Sequence, residues 1–197
     1  MKKHVKLGVV LLAAGRSERY GSNKLLASWR GRPMVCCAID GALRLDAARV
    51  AVVTGNDEIV RIAQAYGCQV IRNDVPQLGQ AHSIALGVRA MQGMNAVLLM
   101  VCDQPLLTGA SLLKLVDAYA CSQYGMACLC DDTHRGNPAL FSAKYFDQLL
   151  ALSGDCGAKS ILRRHEDDLL VVSCISRHEL SDADTPQALA RIGNDEL

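Results

Sequence analysis

Apolar runs and helical patterns take turns along this chain. The runs VKLGVVLLA (5–13), RVAVVTG (49–55), CQVIRN (68–73), AVLLMVC (96–102), MACLCD (126–131) and LLVVSC (169–174) read as strands. Several are continuous rather than alternating, the pattern of strands covered on both faces. Between them, PMVCCAIDGALRL (33–45), DEIVRIAQAYG (57–67), QAHSIALGVRAM (80–91), ASLLKLVDAYACSQ (110–123) and TPQALARI (185–192) carry the 3.6-residue spacing of helices. Pro33 falls at a first helical position, acids open the second helix and Gly67 closes it, and Thr185 stands as an N-cap before Pro186. Strands alternating with helices predict an α/β fold with a doubly wound, mostly parallel sheet. The strand at 126–131, the polar turn DTHRGN and the strand PALFS (138–142) predict an antiparallel hairpin added to that sheet. No linker, repeat or low-complexity stretch interrupts residues 1–197, so one domain is expected.

Composition narrows the picture. Half of the residues are hydrophobic but only 4% are aromatic, so the core must be aliphatic. A net charge of +1 argues against nucleic-acid or membrane-surface partners, and any anion site must rest on local charge. Nine cysteines show neither CxxC pairs nor zinc spacing. They read as reduced, mostly buried thiols of a cytoplasmic protein. The N-terminus MKKHVKLGVVLLAAG has the outline of a signal peptide but reads as a first strand, because its apolar run is short and the residues after it are specific. No stretch approaches a membrane span.

Ligands of doubly wound sheets bind where loops leave the carboxyl ends of strands. The first such loop lies in LLAAGRSERYGSNK (11–24). Gly15 and Gly21 bracket a turn, and Arg16, Arg19 and Lys24 face one acid, Glu18. Exposed backbone N–H groups and surplus cations make a phosphate cradle, although the same composition also describes a solvated basic loop. Neither a Walker loop nor GxGxxG is present. Asp103, in VCDQPLL, directly follows an apolar run and suits either a hard cation or a turn before Pro105. Asp182 and Asp184 flank Ala183 and would share one side of an extended segment. Gly79, Gln80 and Ser83 open a helix; Asn137 lies in HRGNPALF, and Asp155 and Lys159 in GDCGAKSIL. None of the five histidines has an obvious carboxylate or serine partner in sequence, so a phosphate acceptor, which needs no general base, is favoured over an alcohol.

The run LAAGRSERYGSNK resembles the signature loop of nucleotidyltransferases with the nucleotide-diphospho-sugar transferase fold. Leu12, Ala13, Ala14 and Gly15 match its start, and Arg19, Gly21 and Lys24 its conserved charges and turn; Tyr20 stands where methionine is usual. The resemblance implies that Leu12–Gly15 hold the nucleotide, that Arg19 and Lys24 contact its phosphates, and that Arg19, Lys24 and Asp103 are catalytic. It also implies Mg²⁺ bound by Asp103 in D-x-P and by Asp184 before Thr-Pro, with Gly79, Gln80 and Ser83 near the base. GQAHS, DQP, RGNPALF, GDCGAK and DADTP occur in the order of molybdenum cofactor cytidylyltransferases. That order implies transfer of CMP from CTP to molybdenum-bound molybdopterin, with Asn137 (in place of the usual histidine), Asp155 and Lys159 on the acceptor side, and a molybdenum hydroxylase apoenzyme as partner. LAAG rather than LAGG leans towards CTP. A transferase using GTP or a sugar phosphate, and a non-catalytic cofactor carrier, are the competing expectations.

Overall fold

The computed structural model describes residues 4–15, 20, 23–132 and 134–194. At its centre is β1 (Leu7–Leu12), flanked in parallel by β4 (Arg49–Thr54) and β6 (Ala96–Val101). The seven-stranded sheet continues through β5 (Gln69–Arg72) on one side and through β8 (Arg135–Ser142), β7 (Met126–Cys130) and β9 (Leu169–Ser173) on the other, in the order β5-β4-β1-β6-β8-β7-β9. Only β8 runs against the rest. The α/β fold with a mostly parallel sheet is therefore the one the apolar runs predict.

The expected antiparallel hairpin is part of the sheet and lies inside it. It is not appended at an edge: β8 lies between β6 and β7, with Leu99 opposite Ala139 and Cys128 opposite the same residue. Residues 135–137, expected in the turn, extend β8 by pairing Arg135 with Cys130 across a register shift. Pro33 does not begin a helix either. It pairs with Ser28 in a small ribbon of β2 (Ser28–Trp29) and β3 (Arg32–Pro33), and α1 starts at Val35 (Val35–Leu43). A residue without an N–H is tolerated in so short a ribbon. Thr185 does cap α7 (Pro186–Asn194), accepting the Ala188 N–H at 3.0 Å.

The sheet divides two aliphatic cores. Val9 and Leu11 face a cluster closed by α1, α2 (Asp57–Ala65) and α4 (Gly109–Cys121), through Ile39, Ile59, Leu112 and Leu115. Val10 faces the opposite cluster with Ile84 and Val88 of α3 (Gln80–Ala90), Leu149 of α5 (Phe146–Leu150) and Ile161 of α6 (Lys159–Arg164). Neighbouring residues of β1 thus enter different cores, which is why the run is continuous. Gly87 brings α3 directly onto Val10, where a Cβ would overlap the valine side chain. No helix among the described residues is long and apolar enough to cross a membrane.

Asp168 joins three elements at the pole opposite the strand ends that carry the site. Its carboxylate accepts the Gly125 N–H at 2.9 Å and the Tyr145 hydroxyl at 2.6 Å, and pairs with Lys144 at 2.6 Å. Burial opposes its ionisation, but the bonds from Lys144, Tyr145 and Gly125 outweigh burial and hold the carboxyl below its ordinary 3.8. A depressed folded pKa stabilises above the unfolded value and ceases to do so as pH falls through the folded one. Asp168→Ala is expected to lower the unfolding free energy by about 1–3 kcal/mol at pH 7. Urea titrations should show that difference shrinking below pH 3.8 as the wild-type carboxyl protonates.

Candidate active site

Three charged side chains from distant parts of the chain meet at the carboxyl ends of β1 and β6. Lys24 opens a 3-10 turn (Lys24–Leu26) that Asn23 caps by accepting the Leu25 N–H at 3.1 Å, while Leu25 is buried beneath it. Asp103 follows β6 by one residue. Asp184 comes from the segment before α7. The Lys24 Nζ donates to Asp103 Oδ2 at 2.5 Å and to Asp184 Oδ1 at 2.7 Å. Burial pulls the ammonium pKa down, but the charge and hydrogen bond of Asp103, then those of Asp184, more than offset it, so the lysine holds its proton above the ordinary 10.5.

The segment carrying Asp184 is fastened to the loop carrying Asp103. Ala183 N donates to Asp103 O at 2.8 Å. Gln104 Nε2 donates to Leu180 O at 3.1 Å and to Asp182 Oδ1 at 3.0 Å. Behind them Glu179, 1% exposed, accepts from Thr108 N and Oγ1, from Ser111 Oγ and from Ser176 N, at 2.7–3.0 Å. A carboxylate with four donors is well satisfied when buried. Asp182 has its pKa raised, first by burial and then by the charge of Asp103.

A cleft of about 510 Å³ opens over the lysine and Asp103, walled by Ala14 and Gly15 on one side and by the start of α3 on the other. Gly79 has φ +86°, and a Cβ there would overlap the Gly154 carbonyl. Only glycine lets the loop before α3 lie against the 154–157 loop. Ala81 N donates to Gly154 O at 3.1 Å, and Gln80 lies over Gly157.

The site suits a hard divalent ion. Asp103 Oδ1 is buried and has no hydrogen-bond partner among the described residues, a costly state for a carboxylate oxygen unless another group completes it. Asp103 and Asp184 supply oxygen donors only. No cluster of three or more His, Cys, Asp or Glu with metal-holding placement exists among the described residues. Two carboxylates, with the remaining ligands from phosphate and water, are how Mg²⁺ is usually held.

Residues 9–169 match the family model of the MobA-like NTP transferase domain. The chain belongs to this family. It is 29% identical to the purine catabolism protein PucB of Bacillus subtilis over 194 residues, covering 90% of this chain and 91% of that protein. It is also 29% identical over 136 residues to the bifunctional protein GlmU of Janthinobacterium sp., covering 67% of this chain but only 29% of that longer protein. Three solved structures share the fold. A nucleotidyl transferase from Methanothermobacter superposes with a TM-score of 0.83 at 22% identity, over 96% of this chain and 97% of that one. A manganese complex of Rv0371C from Mycobacterium tuberculosis gives 0.77 at 22%, over 95% and 97%. A CMP-2-keto-3-deoxy-manno-octonic acid synthetase with CTP gives 0.72 at 14%, over 98% and 100%.

Within this MobA-like frame the expected residues separate into groups. Leu12, Ala14, Gly15, Lys24 and Asp103 line the cleft, as do Gly79, Gln80 and Ser83. Ala13 does not line it. Its N–H donates to Val53 O at 2.9 Å and its carbonyl accepts from Thr54 Oγ1 at 3.0 Å, so this backbone serves the sheet. The Ser83 hydroxyl accepts from Asn73 Nδ2 at 2.9 Å. Arg19, with Arg16 and Gly21, lies outside the described residues. The three acceptor-side residues divide: Asp155 lines the first cleft, whereas Asn137 and Lys159 line a second one of about 210 Å³ beside it. Cys102 borders the first cleft with its thiol buried and its pKa pushed far up by that burial, while Cys156 is exposed; all nine cysteines are free.

Sequence reasoning missed two features. His134 does have a carboxylate: Asp131, its side chain 1% exposed, lies 3.4 Å from His134 Nδ1. The only signal was an acid three residues before a histidine in a turn. Glu179 gave no signal, since its partners Thr108 and Ser111 are 71 and 68 residues away. Glu179→Ala would remove the shared acceptor of four donors, of which the Ser111 hydroxyl is buried. It is expected to cost about 2–4 kcal/mol in urea unfolding and to speed proteolysis within 174–184.

Proposed function

We propose that this chain is a divalent-cation-dependent cytidylyltransferase that transfers CMP from CTP to the terminal phosphate of molybdenum-bound molybdopterin, releasing pyrophosphate. The observation that carries the reading is the Lys24 ammonium held between Asp103 and Asp184 in a cleft that Ala14 and Gly15 line. An acceptor phosphate oxygen forms a bond to the α-phosphorus, and the bond to the β-phosphate oxygen breaks. The acceptor is anionic at neutral pH and needs positioning rather than a base. Lys24 stabilises the charge that grows on the α-phosphate and on the departing pyrophosphate. Ala14, Gly15 and Gln80, which line the cleft, would hold the nucleotide between β1 and α3. Mg²⁺ held by Asp103 and Asp184 would supply neutralisation and in-line orientation of the triphosphate. Arg19, from the same loop as Lys24, belongs to this phosphate-binding set.

The choice of cytidine and molybdopterin is supported by the LAAG start and by the order of the GQAHS, DQP, RGNPALF, GDCGAK and DADTP motifs. The likeness to a purine catabolism protein over nearly the whole chain agrees with a product used by a molybdenum hydroxylase of the xanthine dehydrogenase type. Neighbours solved with manganese and with CTP agree with a metal–nucleotide site. The enzyme acts as one domain in the cytoplasm, where nine free thiols stay reduced.

Pyrophosphate release with Mg²⁺ and molybdenum-loaded molybdopterin is expected from CTP and not from GTP, ATP or UTP. Release from another nucleotide alone would keep the chemistry and reject cytidine; release from none would reject molybdopterin as the acceptor. Lys24→Ala and Asp103→Ala are each expected to lower kcat/KM by about 10²–10³. Lys6→Ala, at the opposite pole, should leave it unchanged in the same assay.

A further inference from the structure

The second cleft touches the first through Leu12, Gln80 and Val101, which line both. Three basic side chains line it: His134, Arg135 at the start of β8, and Lys159 at the first residue of α6. One carboxylate faces them, Asp182, and it already accepts from Gln104 Nε2. Among the described lining side chains bases outnumber acids, although Asp131 and Glu166 pair with His134 and Arg135 from behind, and the Asn137 amide adds a neutral donor.

Each basic group is set in place. Asp131 accepts the His134 N–H at 2.7 Å and the Leu180 N–H at 3.3 Å, and lies against Nδ1 of the ring, which leaves Nε2 as the nitrogen turned away from it. Arg135 Nη2 bonds Glu166 Oε1 at 3.0 Å. Lys159, the first residue of the short α6, has no carboxylate partner among the described residues. Its stem runs past Gly136, whose φ of +120° no other residue adopts readily. A lysine so placed is stabilised by an anion beside it. A lone histidine–aspartate pair would suit a hydroxyl acceptor as its base. Beside two permanent cations, it serves charge neutralisation instead.

We infer that His134, Arg135 and Lys159 form a subsite for a phosphomonoester dianion, the terminal phosphate of the acceptor, and that only this end of the acceptor enters the cleft. About 210 Å³ takes a phosphate and its ester stem, below the roughly 300–1,000 Å³ that encloses larger ligands. The bulk of the acceptor lies outside, across the surface. Asp155, in the other cleft, takes no part. The occupant is an acceptor only if the nucleotidyl-transfer reading holds; the affinity of the cleft for phosphate does not depend on it.

Inorganic phosphate is the probe. With the first cleft filled by Mg²⁺ and α,β-methylene-CTP, calorimetry on the full chain is expected to show phosphate binding that weakens at least about tenfold in Lys159→Ala and in Arg135→Gln. It should recover in Lys159→Arg and stay unchanged in Arg163→Ala, an exposed position on the same helix. Thermal melts of each variant separate lost binding from lost folding. Equal phosphate affinity in the wild type and both weakening variants, or no phosphate binding by the wild type, overturns the subsite. If the CTP analogue does not bind, the transferase reading fails, and the same phosphate titration without it still decides the subsite by the same criteria. In turnover with molybdenum-loaded molybdopterin, Lys159→Ala should raise the KM for that acceptor and leave the KM for CTP as it was; the reverse pattern would move Lys159 to the nucleotide.

Discussion

The ion pair of Lys24 with Asp103 and Asp184 organises the rest of this molecule. Three charges from positions 79 and 160 residues apart along the chain share a partly buried point. Charges in such a place are stable only when mutually satisfied, because desolvation is costly and removing one partner strands the others. The fold holds them with rigid elements. Lys24 sits on the 3-10 turn that Asn23 caps, β6 ends beside Asp103, and the buried Glu179 cage fixes the segment that ends in Asp184. One oxygen of Asp103 has no hydrogen-bond partner among the described residues, so the cluster has capacity for a ligand as well as internal balance.

Two clefts follow from this arrangement. The first combines glycine-permitted backbone approach with the charged cluster, as a triphosphate requires. The second is smaller, shares a wall with the first and collects basic side chains from the antiparallel strand and from α6. Gln80 borders both and lies on Gly157, so the start of α3 and the 154–157 loop meet at one side chain. Insertion of β8 between β6 and β7 is what brings His134 and Arg135 next to the first cleft. At the edge of the sheet they would lie too far away.

Much of the fold was legible because the information was local. Continuous apolar runs marked strands such as β1 and β6, which divide two cores, and 3.6-residue spacing marked α2 and α3. Strand order was not legible, since the place of β8 depends on pairing with residues some forty positions earlier. The β2–β3 ribbon has two residues per strand, too few for a period, and Pro33 therefore read as a helix start. Within the site, Lys24, Asp103 and Asp184 stood out by position at strand ends and by resemblance to a known loop. Asp131, Glu179 and Glu166 did not, because a buried or rim carboxylate is defined by its partners rather than by its neighbours in sequence. The sequence also grouped Asp155 with Asn137 and Lys159, although folding turns it into the other cleft.

The most direct measurement is electron paramagnetic resonance of Mn²⁺ with the purified chain and α,β-methylene-CTP. Joint ligation by the carboxylates and the triphosphate predicts that free Mn²⁺ signal falls sharply only when protein and nucleotide are both present, and that Asp103→Asn abolishes the fall while nucleotide binding persists. An equal fall in the wild type and the variant would contradict a metal–nucleotide site at the Lys24–Asp103–Asp184 cluster.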